Sequence, residues 1–216
     1  MTIAAVHVGC VLLLVVAEGE GQSALGTVAG RVTMTGDAGW NTVVYLEGGA
    51  RVPQRARVTR VIRQHNLRFR PHVTVIPRGS TIEFPNDDRV DHNVFSLSRP
   101  KRFDLGLYRS GTSRSVTFRR PGVVDIYCNI HPQMAAKVLV VDTPHYATAT
   151  ARGRFQIRDV PAGDYELVGW QPYGESFRRS ITVRPRQTTN ASFSLTPGRR
   201  ATRHLRKDGT PYGRYR

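Results

Sequence analysis

The sequence predicts an all-β protein with its strands packed as sandwiches. Three observations carry this reading. Val73/Val75 and Val116/Phe118 alternate as half-buried strands do. Turn signals punctuate the chain at Pro77-Arg78-Gly79, Pro121-Gly122 and Arg152-Gly153. Between about residues 58 and 143 no stretch holds a convincing helical period, apart from a candidate single turn near Asp104 to Tyr108. Thr81, Glu83 and Phe84 break strict alternation. The 216 residues can hold one or two domains.

The chain opens with an apolar run, Ile3 to Ala17, of signal-peptide length and short for a membrane span. Residues 1–24 are therefore expected to be a signal peptide, cleaved after Ala17 or Ala24, although no Lys or Arg precedes the run. Cys10 lies before most of the apolar run and His7 spoils a lipobox, so no lipoprotein is expected. Cleavage would leave Cys128 as the single thiol, with no partner for an intrachain disulfide. The expected compartment is periplasmic or otherwise extracytoplasmic.

The run Cys128-Asn129-Ile130-His131-Pro132-Gln133-Met134 places a thiol, an imidazole and a thioether within one short loop. Upstream stands Asp91-His92-Asn93-Val94. One Cys, two His and one Met form the ligand set of a type 1 (blue) copper site, with His92, Cys128 and His131 in the trigonal plane and Met134 long and axial. A Cys-x2-His pair also serves closed zinc sites, but those rarely use Met and a zinc ribbon wants more Cys. His65, His72, His145 and His204 read as ordinary surface or core residues.

The flanks extend the pattern. Phe69 and Pro71, the strand Val73 to Ile76, Pro77 and Gly79, Phe84-Pro85-Asn86-Asp87 and His92-Asn93-Val94 follow in order. Pro121-Gly122 leads into Cys128, and Lys137-Val138-Leu139-Val140-Val141 closes the region. Residues 58–143 thus resemble a cupredoxin of the plastocyanin/amicyanin type, more narrowly the plastocyanin-like "methylamine utilization" proteins. The resemblance implies a Greek-key sandwich holding one type 1 copper. It implies that Asn93 ties the two ligand loops together by hydrogen bonds. It implies a surface near His131 where Pro132, Ala135 and Ala136 form a small apolar docking patch. Where plastocyanin and amicyanin have proline, this chain has Ile130, whose N–H could reach the Cys128 sulfur.

After Thr143-Pro144 the style changes. Thr148 to Ile157, Val160 to Trp170, Ser180 to Val183 and Ala191 to Leu195 read as further strands. They resemble the transthyretin-like, carboxypeptidase regulatory-like sandwich. The first strands of that family have counterparts only at the other end of the chain, Gly30-Arg31-Val32-Thr33 and Asn41 to Leu46. The expected division is therefore discontinuous. Residues 26–49 and 147–196 form one sandwich, residues 50–146 form the cupredoxin domain inserted in it, and residues 197–216 form a basic, disordered tail. The alternative is a serial order, with Gly30 to Leu46 adding strands to the copper domain.

The formal net charge is +16, from 32 Lys and Arg against 16 Asp and Glu. Outside the tail the basic residues are interspersed with acidic ones, so no nucleic acid is expected. The tail could meet a membrane surface or an acidic partner. A one-electron carrier is the expected function, with a redox protein as partner, for example a c-type cytochrome or an oxidoreductase. No enzyme is expected, because no H-x-H pair feeds a second copper and four ligands leave no open substrate position. A copper delivery protein and a cell-envelope binding module, with Trp40, Trp170 and Tyr173 as a sugar platform, are the alternatives.

Overall fold

Alternating apolar residues become strands here, and the strand ends fall at the turn signals. The computed structural model describes residues 25–34, 41–49, 57–198 and 204–212. The signal-peptide reading, Cys10 and Trp40 lie outside the described residues. The chain opens with β1 (Leu25–Met34) and β2 (Val43–Gly48). It continues through β3 (Thr59–Val61), β4 (Arg63–Gln64), β5 (Phe69–Arg70), β6 (Val73–Pro77), β7 (Thr81–Pro85) and β8 (His92–Ser96). Then come β9 (Phe103–Tyr108), β10 (Ser113–Thr117), β11 (Gly122–Tyr127) and β12 (Ala135–Val141). It closes with β13 (Tyr146–Thr148), β14 (Arg154–Pro161), β15 (Gly163–Trp170), β16 (Phe177–Val183), β17 (Thr188–Asn190) and β18 (Phe193–Leu195). Among the described residues there is no α-helix.

The first sandwich packs the sheet β10-β7-β3 against the sheet β6-β12-β11-β8-β9. Its core includes Ile62, Ile82, Phe84, Phe118, Val124, Ile126 and Val138. β7 alternates cleanly after all: Ile82 and Phe84 point inward and Glu83 outward. The segment Asp104 to Tyr108 is strand rather than a helical turn. β9 pairs antiparallel with β8, and Phe103 and Leu105 pack on the core on alternate positions. Pairing to a neighbour satisfies the backbone that a lone turn would leave to solvent.

The second sandwich joins the two ends of the chain. β1 pairs antiparallel with β14 and parallel with β17 and then β18. β2 lies between β13 and β15. Every ladder partner of β1 and β2 thus follows residue 145, and β3 to β12 pair among themselves. The changeover comes at Tyr146, which already pairs with Tyr45, one residue earlier than the expected boundary. Gly30 sits where β1 passes from β17 to β18. A Cβ there would lie 2.7 Å from the Ser192 nitrogen and 2.8 Å from the Ala191 carbonyl carbon, which explains the glycine of the G-x-V strand.

The two sandwiches meet face to face. Leu139 and Val141 of β12, Val73 and Val75 of β6, and Val123 of β11 pack against Val43 and Tyr45 of β2, Tyr146 of β13 and Trp170 of β15. β12 is therefore apolar on both faces, as sheets covered on both sides are. His72 bonds the Ala135 carbonyl oxygen at 2.9 Å and the Tyr173 hydroxyl at 2.6 Å across this junction. Trp170 and Tyr173 are thus placed at the contact between sandwiches rather than on an outer sugar platform.

Candidate metal centre

The strands deliver four side chains to one end of the first sandwich. His92 is the first residue of β8. Cys128 follows β11 directly, and Met134 precedes β12 directly. Because β11 and β12 are antiparallel neighbours, the loop between them must return within a few residues. It closes on itself: the Cys128 N–H donates to the Met134 carbonyl (3.2 Å) and the Met134 N–H to the His131 carbonyl (3.0 Å). β8 also pairs with β11, Phe95 opposite Tyr127, so His92 arrives beside Cys128.

One donor atom from each of His92, Cys128 and His131 lies within 4.8 Å of the others. The two Nδ1 atoms are 3.0 Å apart, and the sulfur is 3.9 Å from His92 Nδ1 and 3.7 Å from His131 Nδ1. Bond lengths of about 2.0 Å to nitrogen and about 2.3 Å to sulfur in a trigonal plane call for N···N near roughly 3.5 Å and S···N near roughly 3.7 Å. The sulfur distances already match, and the nitrogens need to part by about half an ångström. His92, Cys128 and Met134 are fully buried, whereas His131 is half-buried. The donor set, one thiolate, two imidazoles and a buried thioether, suits copper.

The surroundings hold these donors in place. His92 Nε2 lies 2.8 Å from Asp88 Oδ2, which turns its Nδ1 toward the cluster. Asp88 is itself fixed by the N–H groups of Asn66 (2.5 Å) and Leu67 (2.9 Å). Burial alone would raise its pKa, but these amides and His92 outweigh it and hold the carboxyl below the ordinary range. Burial pushes the Cys128 thiol up, while the backbone N–H groups of Asn93, Ile130 and His131 face the sulfur and pull the other way. Burial, with His92 adjacent, keeps His131 below its usual value and so available as a neutral ligand. Asn93 Oδ1 accepts the Asn129 N–H (3.3 Å), and Asn93 Nδ2 donates to Asp104 Oδ1 (2.6 Å). The side chain thereby spans from the β8 strand to the Cys128 loop.

Two expectations change. Pro132 and Ala136 are buried and Ala135 half-buried, so they do not form an exposed patch. Ala136 points into the core from β12, and the exposed apolar side chain of the loop is Ile130, 38% accessible. The tail is the second. Residues 204–212 lie against the ligand loop rather than free in solvent, held by specific contacts that a basic composition conceals. Residues 199–203 and 213–216 lie outside the described residues. Asp88, Asp104 and the 204–212 segment are the neighbours that sequence reasoning missed. The signal for Asp88 was its place four residues before His92, but Asp87 and Asp91 flank it in the same run.

Fold and site together define an all-β protein of two sandwiches with a His–Cys–His cluster at one end. More particularly, its first sandwich is cupredoxin-like and its second is carboxypeptidase regulatory-like. The family described as carboxypeptidase regulatory-like domain matches residues 128–196. The start of that match falls on the ligand loop and β12, which pair inside the first sandwich. The chain is similar to amicyanin-alpha of Methylorubrum extorquens, 34% identical over 77 residues, covering 34% of this chain and 65% of that protein. Among solved structures it is similar to amicyanin from Paracoccus versutus (25% identity, 43% of this chain and 87% of that one, TM-score 0.36). It is also similar to a purple cupredoxin from Nitrosopumilus maritimus (31%, 34% and 81%, TM-score 0.31). A copper-containing nitrite reductase from Thermus scotoductus gives 26% identity over 46% of this chain and 25% of that one, TM-score 0.37.

Proposed function

We propose that the protein is an exported type 1 copper protein that carries single electrons, with His92, Cys128, His131 and Met134 as ligands of one copper. The observation that carries this reading is the near-trigonal placement of two Nδ1 atoms and one sulfur, the sulfur on a loop that also carries the buried Met134. When bound, copper supplies the Cu(II)/Cu(I) couple. The chain supplies a cage that need not move. Asp88 holds one imidazole, the closed β11–β12 loop holds the other, and amide N–H groups steady the thiolate. Four donors leave no position for a substrate, which favours a carrier over an enzyme.

The partner on this reading is a redox protein, a c-type cytochrome or an oxidoreductase, meeting the surface around His131 and Ile130. The basic residues of the tail give a second route of attraction, to an acidic partner or a membrane surface. The strand pairing supports a discontinuous outer sandwich, residues 26–49 with 147–196, around the cupredoxin domain of residues 50–146.

An absorption spectrum of the copper-loaded protein tests the proposal. Loaded protein is expected to be blue through charge transfer from Cys128 sulfur, and Cys128→Ser to be colourless because a hydroxyl is no soft donor. Retention of one zinc with no blue form would sink the assignment.

A further inference from the structure

The C-terminal segment is built across the metal-ligand loop. The Tyr212 hydroxyl donates to the Cys128 carbonyl oxygen at 2.7 Å. The Lys207 N–H donates to Asn129 Oδ1 at 2.9 Å, and Lys207 Nζ lies 2.6 Å from Asp104 Oδ2. Asp104 in turn holds Asn93, whose side chain holds Asn129. The His204 ring stacks on Tyr127, 4.2 Å between centroids at 22°, and faces the carbonyls of His131 and Met134. One short segment therefore touches the residue before the cysteine, the cysteine, the residue after it and the far side of the loop.

The segment is also pre-shaped. The Arg206 N–H donates to the Thr210 carbonyl and the Gly209 N–H to the Arg206 carbonyl, both at 2.9 Å. Asp208 Oδ1 accepts the Thr210 N–H at 2.9 Å. Gly209 adopts φ +83, the left-handed turn position that glycine fills without strain. The Arg206 guanidinium lies over the Tyr212 ring, 5.2 Å from its centroid. A hairpin already closed by its own hydrogen bonds loses little further freedom on docking.

We propose that residues 204–212 form an intramolecular cap on the metal-ligand loop, with Lys207 and Tyr212 as positioning residues that hold the Asn129 side chain and the Cys128 carbonyl and restrict access to the Cys128 sulfur. The cap builds on the metal-site reading only where copper is concerned. Its effect on the thiol belongs to the metal-free protein. With the cap in place, the loop that must supply the thiolate is braced from outside as well as by Asn93 from within. Copper would then leave slowly, because opening the loop also means breaking the two anchors.

The test uses the full-length, metal-free chain and iodoacetamide, with labelling at Cys128 followed by peptide mass spectrometry. Tyr212→Phe is expected to speed labelling of Cys128 by about tenfold, the factor that corresponds to one hydrogen bond at the strong end of the usual range, and Lys207→Ala, which keeps its N–H but loses the exposed pair with Asp104, by a few-fold. Lys207→Arg is expected to restore the slow rate, since it keeps the charge opposite Asp104. The same variants are expected to release bound copper faster to a chelator, with the thermal midpoint of the metal-free protein lowered by no more than the few degrees that one lost contact costs. Labelling as slow in both variants as in the parent chain would overturn the cap. Equal speeding of Cys128 labelling by Gly30→Ala, which destabilises the other sandwich and leaves the segment's contacts intact, would overturn it too, because general loosening would then account for the rate. A colourless copper-loaded protein that still shows the labelling difference would sink the copper assignment and leave the cap standing.

Discussion

Both oxygens of Asp88 are committed: Oδ1 accepts the Asn66 N–H, and Oδ2 takes the Leu67 N–H and His92 Nε2. Asp88→Ala should free the His92 ring to turn and lower metal affinity by about 10- to 100-fold, the usual effect of losing a partner behind a ligating histidine. Competition with a chelator of known affinity would measure it, and Asp88→Asn should also weaken binding, because its NH2 must face either the Asn66 N–H or the Leu67 N–H and His92. Ile130 gives a sharper test, since its N–H faces the sulfur. Each N–H on the thiolate draws density from it and favours the reduced metal. Ile130→Pro removes that donor and should lower the reduction potential with the blue spectrum intact. Voltammetry showing an unchanged or higher potential would count against it. Asp104 permits a pH test away from the ligands. Burial would raise its pKa, but Lys207, the Gly106 N–H and Asn93 together hold it below the ordinary carboxylate range. Its contribution to stability is therefore present above the unfolded carboxylate value and is lost as pH falls through the depressed folded one. Carboxyl NMR should find Asp104 titrating higher in Lys207→Ala than in the parent chain.

The elements show what the sequence can and cannot reveal. The cluster was legible because Cys, His and Met are chemically distinctive side chains, and the β11–β12 loop concentrates three of them. The strand β12 was legible as a strand, yet its unbroken run Val138-Leu139-Val140-Val141 also announced that both its faces are covered, and that went unread. Leu139 faces the second sandwich, so Leu139→Ala should cost about 2–4 kcal/mol through the cavity it leaves. Denaturant unfolding would measure this, with the copper spectrum little altered because Leu139 lies on the face away from the site core. Gly30→Ala should cost about 2–3 kcal/mol, since the added methyl meets backbone rather than a side chain that can turn aside. The cap was not legible. Its composition is that of a solvated tail, and what fixes it is a handful of contacts from His204, Lys207 and Tyr212 to residues far away in sequence. The same holds for Asp88, one of three aspartates in the five residues 87–91 until the amides of Asn66 and Leu67 select it.

At the scale of the whole molecule, the two ends of the chain close around its middle. Arg31 and Ser192, 161 positions apart, are joined by a hydrogen bond, and β2 lies beside β13 with the first sandwich strung between them. While that sandwich is folded, it holds the chain on either side of it close together, Tyr146 beside Tyr45. Once it unfolds, Gly48 and Tyr146 are the ends of a slack loop of nearly a hundred residues. Lengthening a closing loop from a handful of residues to that size is roughly four doublings and costs about 2–3 kcal/mol. The outer sandwich, which offers no metal ligand, thus depends on the inner one as a clasp depends on the thread it fastens. Copper stabilises only the folded state that holds it. Loading should therefore raise the melting temperature of both sandwiches, read for the outer one by hydrogen exchange of the β1 and β14 amides. If copper moves the inner transition and leaves the β1 amides exchanging as before, the clasp is slack. If both move together, the state of a single metal ion is felt by the two strands with which the fold begins.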